Sequence, residues 1–188
     1  MSYFPAFLNL EDKKVLLVGG GEIAHTKLAH LLDFTSEISI IAQELSEKTK
    51  ALAKERNLSV MQRAYSRGDI RDFDIVIVAV DDISLQVKIF EESKQYNCLC
   101  SCVDSSKQSD FIFGSYIKKD DLTIAVSTSG ASPALAKEIK KYLLNLIPDD
   151  IGAFLQEMKS LRETLPKGKD RMKMFKKRAE DYIKRWSN

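Results

Sequence analysis

The stretch VLLVGGGEIAHTKLAHLL, residues 15–32, limits the possible folds more than any other part of the chain. An unbroken apolar run such as Val15–Val18 suits a strand covered on both faces, and it runs straight into three consecutive glycines and then into a helix-forming segment, Glu22–Leu32. Gly19, Gly21 and Ala24 match the pattern G-x-G-x-x-G/A, set between a strand and a helix as a dinucleotide-binding turn requires. In such a turn the first glycine permits the tight bend and the second lets a pyrophosphate approach the backbone. The small residue at 24 lets the helix pack closely, and the free N–H groups at the helix start, Glu22 and Ile23, aim at the phosphates. A tight turn with no ligand is the competing reading of the same residues.

The cadence that follows is that of a parallel sheet. Strands are predicted at Lys14–Val18, Glu37–Ala42, Ser59–Gln62, Ile75–Val80 and Leu99–Val103, with helices at Glu22–Leu32, Ser46–Arg56 and Ser84–Tyr96. This alternation predicts an α/β fold with a Rossmann-like, doubly wound parallel sheet. After Asp110 the texture changes. FIFGSYIKKDDLTIAVSTSG reads as two strands joined by the turn KKDD, and SPALAKEIKKYLLNLI reads as a helix with proline in its first turn. A hairpin and one helix are too small to own a core, so this piece is expected to pair with a second copy of the chain as a homodimer. From Pro148 the pattern is helical, interrupted at PKGKD. The expected divisions are therefore a dinucleotide-binding domain at 1–113, a small α+β dimerisation segment at 114–147 and a helical C-terminal domain at 148–188.

In a dinucleotide site the end of the second strand meets the adenosine ribose, and here it reads Ile41, Ala42, Gln43, Glu44. Gln43 can hydrogen-bond a ribose diol, and Glu44 stands one place beyond the standard acidic contact. No arginine offers a welcome to a 2′-phosphate there, which favours NAD over NADP. Composition agrees with a soluble globular protein: of 188 residues, 44% are hydrophobic and 30% charged. No apolar stretch is long enough to span a bilayer, and MSYFPAFLNLEDKK lacks the features of a secretory signal, so a cytoplasmic protein with no membrane partner is expected. Cys98, Cys100 and Cys102 alternate, which on a strand gives them one face and the character of small core residues, not of a metal site. His25 and His30 face different directions on a helix and make poor co-ligands. The segment from Lys167 holds nine Lys or Arg against three acids, a local charge of +6 that leaves −4 for the rest of a chain whose net charge is +2. That surface suits an anionic ligand, though a solvated amphipathic helix explains it equally well. No helix-turn-helix or base-stacking platform accompanies it, so nucleic acid is not expected as a partner.

Four blocks, taken in order, resemble one family: FPAFLNLEDKKVLLVGGGEIAHTK, VIVAVDD, VDSSKQSDFIF and LTIAVSTSGASPALAKEIKKYL. The chain is similar over Phe4 to about Pro148 to the precorrin-2 dehydrogenases of siroheme biosynthesis, a family that includes bifunctional dehydrogenase/ferrochelatases and the N-terminal half of fused siroheme synthases. The resemblance implies NAD-dependent oxidation of precorrin-2, an anionic tetrapyrrole, to sirohydrochlorin. It implies a Rossmann domain, a dimerisation segment and a helical domain. It also implies an acid/base aspartate, which the motif CVDSS puts at Asp104. Departures exist. Val80 stands among the cofactor contacts where the family often has threonine, and Gln86 and Ser101 stand where it often has asparagine.

Asp104 is chemically sensible because it follows an apolar strand at the sheet's carboxyl edge, where doubly wound folds bind ligands. A carboxylate in reach of the macrocycle can take the proton that leaves as hydride departs. A turn or helix-capping aspartate is the competing reading. Two other activities compete at the level of the whole chain. One is ferrous-iron insertion into sirohydrochlorin, expected to be weak or absent because the chain has only two histidines and neither has an obvious partner. The other is a non-catalytic module that senses NAD.

Overall fold

The computed structural model describes residues 3–103 and 105–187. They form two compact units, Tyr3–Ile112 and the segment from Phe113 onward. The first unit is built on a six-stranded sheet of order β3-β2-β1-β4-β5-β6. Its strands are β1 (Val15–Val18), β2 (Ile38–Ile41), β3 (Ser59–Met61), β4 (Ile75–Val78), β5 (Leu99–Cys102) and β6 (Ser105–Ser109), and the helices between them are α1 (Glu22–Leu32), α2 (Glu47–Glu55) and α3 (Ile83–Gln95). The first five strands are mutually parallel, with Val15 opposite both Ile38 and Ile75.

The central strands are apolar at every position because both faces are covered. Leu16 and Val18 point into a cluster with Val76, Val78 and Ile89, while Val15 and Leu17, which alternation turns the other way, are just as fully buried. Each such side chain contributes about 1.5–3 kcal/mol on removal from water. Helix α1 buries Ala24, Leu28 and Leu31, one stripe at helical spacing. Cys98, Cys100 and Cys102 lie in the Leu16 cluster as free thiols, with the Cys100 and Cys102 sulfurs 3.8 Å apart. The strand pattern therefore places them in the core, as expected.

Strand β6 was not foreseen. It runs antiparallel to β5, pairing Cys102 with Ser105 and Ser101 with Ser109 around a bulge. Its sequence, SSKQS, has no apolar alternation, and side chains anchor it instead. The Ser109 hydroxyl accepts from Cys102 N–H at 3.0 Å and donates to the Ser105 carbonyl at 2.7 Å. The Asp110 carboxylate accepts from Cys100 N–H at 2.9 Å and pairs with Lys94.

In the second unit β7 (Ser115–Lys119) and β8 (Leu122–Val126) form the expected hairpin, turning at Asp120, whose φ of +51° is left-handed. Helix α4 (Pro133–Leu146) follows, capped by Ser132, whose hydroxyl accepts from Leu135 N–H, and then come α5 (Ile151–Thr164) and α6 (Lys169–Lys184). The hairpin's apolar face is covered from within the chain: Ile117 packs with Ile147, Ile151 and Tyr182. Tyr182 stacks on Phe154 at 4.0 Å between ring centres and donates to Asp150 at 2.7 Å, while Arg185 donates to the other oxygen of Asp150 at 2.8 Å. Several tail cations are thus engaged locally: Arg185 holds Asp150, Arg178 pairs with Glu157 at 2.7 Å, and Arg171 donates to the Arg162 and Leu165 carbonyls across the α5–α6 break.

Candidate functional site

The strand order reverses at β1. From there the chain runs outward to β2 and β3 on one side and to β4 and β5 on the other. A crevice opens past the carboxyl ends of strands that part in this way, and the glycine loop leaves β1 at that point. Backbone bonds stitch the loop between its neighbours: Gly19 N–H donates to Ile41 O at 2.8 Å, and Ala79 N–H donates to Val18 O at 2.7 Å.

The three glycines answer different demands. Gly19 has φ +124°, and a Cβ there would drive into the Ala79 carbonyl. At Gly20 a Cβ would overlap the Glu44 carbonyl and press on Ala42 Cβ and Leu45 Cα, each at 3.0 Å. Gly21 has φ −77°, open to any residue, and among the described residues no heavy atom beyond its chain neighbours lies within 4 Å of where its Cβ would stand. Nothing among the described residues requires a glycine at 21, so its bareness leaves room for something outside the fold.

The loop is held from its far side by α2. Ser46 N–H donates to Gly20 O at 2.8 Å, and the wholly buried Thr49 donates its hydroxyl to Gly21 O at 3.3 Å. Ser46 Oγ lies 2.9 Å from Thr49 Oγ1 and accepts from Thr49 N–H at 3.2 Å, so cap and latch are one motif. Helices α2 and α3 have side-chain caps in Ser46 and Asp82, but α1 has none. The N–H groups of its first turn, at Glu22 and Ile23, therefore remain available to an anion. The Glu22 carboxylate turns to Lys48 at 2.9 Å, whose hydrogen bond and charge hold its carboxyl below the usual range.

Beside the loop lies a cleft of about 250 Å³. Ile23 of α1, Val80 and Asp81 beyond β4, Gln86 of α3, and Val103 and Ser105 line it. Gln86 is 7% exposed and donates its amide N–H to the Val80 carbonyl at 2.7 Å. Asp82 accepts from Leu85 N–H at 3.1 Å and from the Ser84 hydroxyl at 2.8 Å, which with the hydroxyl foremost lowers its pKa and fixes the start of α3.

Of the residues singled out from sequence, Gly19, Gly21, Glu22, Ile23 and Val80 gather at the loop and the cleft, Ile23 and Val80 in its wall. Gln43 and Glu44 are exposed just past β2, where the Gln43 carbonyl accepts from Gln62 at 3.4 Å. Asp104 lies outside the described residues, although its neighbours Val103 and Ser105 both line the cleft. Sequence reasoning passed over three contributors. Gly20 was hidden by the standard glycine spacing, and Thr49 was legible only as the fourth residue of a Ser-x-x-Thr cap. Gln86 registered as a departure from a family pattern without a reason for its place. Among the described residues, no cluster of three or more His, Cys, Asp or Glu could hold a metal ion.

Comparison with known proteins matches this architecture. A family model of NAD(P)-binding domains covers residues 6–115, and the model of the sirohaem biosynthesis protein central segment covers residues 119–146. Siroheme synthase 1 of Serratia proteamaculans is 36% identical over 152 residues, 81% of this chain and 32% of that protein. The siroheme synthase of Pseudoalteromonas translucida is 31% identical over 180 residues, 96% of this chain and 37% of that protein. The chain thus spans about a third of the length of these curated relatives. Among solved structures, SirC, a precorrin-2 dehydrogenase, superposes with a TM-score of 0.74 at 24% identity, covering 90% of this chain and 85% of that one, a likeness of fold. With a glycine loop, an uncapped helix and a cleft at the switch point, the chain belongs to the NAD(P)-binding family whose model covers residues 6–115.

Proposed function

We propose that this protein binds NAD on the Gly19–Ile23 loop and uses it to oxidise precorrin-2 to sirohydrochlorin, with Asp104 as the acid/base. The observation that carries the reading is the vacant direction at Gly21, set beside a helix start with no cap of its own. A diphosphate fits there because the backbone supplies donors and no side chain intrudes. Gln43 or Glu44 at the β2 end would meet the adenosine ribose, and the want of an arginine at 41–44 favours NAD over NADP.

Bound NAD supplies a hydride acceptor. The chain's own residues do the rest. Ile23 and Val80 give the cleft apolar walls that exclude water and hold a flat ring. One hydrogen of the substrate departs as hydride and a second as a proton, which the Asp104 carboxylate accepts. The Val103 N–H bond to Val78 O at 2.9 Å keeps the end of β5 level with β4 beside that position.

The relatives' names, siroheme synthase and precorrin-2 dehydrogenase, support this substrate. The same reading includes a cytoplasmic homodimer. Three free buried thiols suit a reducing compartment, and α4 leaves Leu135, Tyr142 and Leu144 exposed for a second copy. The test is turnover: purified protein with NAD and precorrin-2 should yield NADH and the sirohydrochlorin spectrum. Asp104→Ala should abolish turnover while NAD still binds. Full activity in that variant would end the catalytic assignment.

A further inference from the structure

We propose that Gln86 reads the carboxamide of the nicotinamide ring, making this protein selective for NAD over its nicotinic acid counterpart. The inference rests on the cofactor reading above. If the diphosphate lies at the glycine loop and the adenosine at the β2 end, the reactive ring falls on the β4–β5 side, in the cleft whose wall includes Gln86.

Gln86 is an unusual residue for that wall. It is 7% exposed, on the inner face of α3 beside the fully buried Ile89. A buried amide is expected to satisfy both its ends. One end is satisfied: Val80 O can only accept, so the nitrogen of Gln86 must face it, and at 2.7 Å the bond is short and well made. This bond fixes the rotation of the amide and turns its oxygen away from Val80. No hydrogen bond from the described residues reaches that oxygen, while the side chain itself lines the cleft. Among the described residues the fold thus holds an acceptor of fixed orientation, on a side chain that lines the cleft, and supplies it with no donor.

The matching ligand group is an uncharged N–H donor on a planar ring. A nicotinamide carboxamide has one. A nicotinic acid carboxylate has none, and its charge would meet both the Gln86 oxygen and the Asp81 carboxylate, which lines the same cleft. Gln86 is therefore a specificity-determining contact.

The experiment is calorimetric titration of the purified chain with NAD and, separately, with nicotinic acid adenine dinucleotide, repeated for Gln86→Leu and for the longer, unbranched Gln86→Met. The wild type should prefer NAD. In both variants NAD affinity should fall about fivefold, the worth of one neutral hydrogen bond, while affinity for the acid form rises as the opposing oxygen is removed. Equal binding of the two dinucleotides by the wild type would overturn the inference, as would a variant that weakens both equally or neither. If the wild type binds neither, the cofactor reading itself fails, a result distinct from NAD binding without selectivity. Should the Leu variant fail to fold, the Met variant and the wild-type preference still decide the matter.

Discussion

Replacing each glycine of the loop by alanine separates binding from folding. At Gly21 the backbone is in an ordinary extended region and the new methyl meets no atom of the described residues beyond its chain neighbours. Alanine there lowers the unfolded chain's entropy, a gain of about 0.4–1 kcal/mol, and is a poorer N-cap than glycine, a loss of similar size. The two offset to within about 0.5 kcal/mol, so the melting temperature should hold to about 2 °C. The methyl would occupy the diphosphate's place, and overpacking of about 1–3 kcal/mol predicts a loss of NAD affinity between about fivefold and more than a hundredfold. At Gly20 the outcome inverts. There the methyl collides with the backbone of Glu44, which cannot swing aside as a side chain could, and about 2–3 kcal/mol of stability should go. That loss corresponds to a melting temperature lower by about 5–10 °C. Thermal unfolding followed by circular dichroism, with NAD titration by calorimetry, reads both axes. If Gly21→Ala keeps wild-type NAD affinity, or melts as early as Gly20→Ala, the assignment of the open direction to a ligand is refuted.

Thr49→Val removes the hydroxyl that holds Gly21 O at 3.3 Å but keeps the shape. NAD affinity should fall by about 1 kcal/mol with turnover at saturating NAD unchanged, and Thr49→Ser should restore it. A fall in saturated turnover instead would show that the latch does more than place the loop. Burial, then the bond to Asp150, pushes the Tyr182 hydroxyl up to about 12 from its ordinary 10. Its protonated form is favoured in the folded state, so this contribution is complete below pH 10 and is lost as pH rises from about 10 to about 12. Alkaline unfolding monitored by tryptophan fluorescence should show that loss, and Tyr182→Phe should flatten it. Iron or cobalt insertion into sirohydrochlorin should run far slower than oxidation. Comparable rates in a metal-insertion assay would make the protein bifunctional.

The parallel sheet was readable because its strands are buried on both sides. VLLV and IVIV admit few other environments, and the helices between them carry their apolar residues at helical spacing. Strand β6 escaped because its pairing depends on Ser109 and Asp110 bonding to backbone, a code that periodicity does not register. The hairpin and α4 were legible from their turn and their proline. Their cover was not, since only the packed structure shows that Ile117 meets Ile151 and Tyr182 from far along the chain. Within the site, the glycine spacing pointed to 19 and 21 on chemical grounds. Gly20 and Thr49 depend on the β2–α2 loop folding back against it, a proximity no local pattern announces.

That late cover has a bearing on biosynthesis. As the polypeptide leaves the ribosome, Ile117 emerges well before Tyr182, so the hairpin must wait with its oily side bare until the final helix arrives. A nascent chain stalled ahead of α6 would present that side to chaperones or to other nascent chains, while the sheet unit, complete by Ile112, could already have settled.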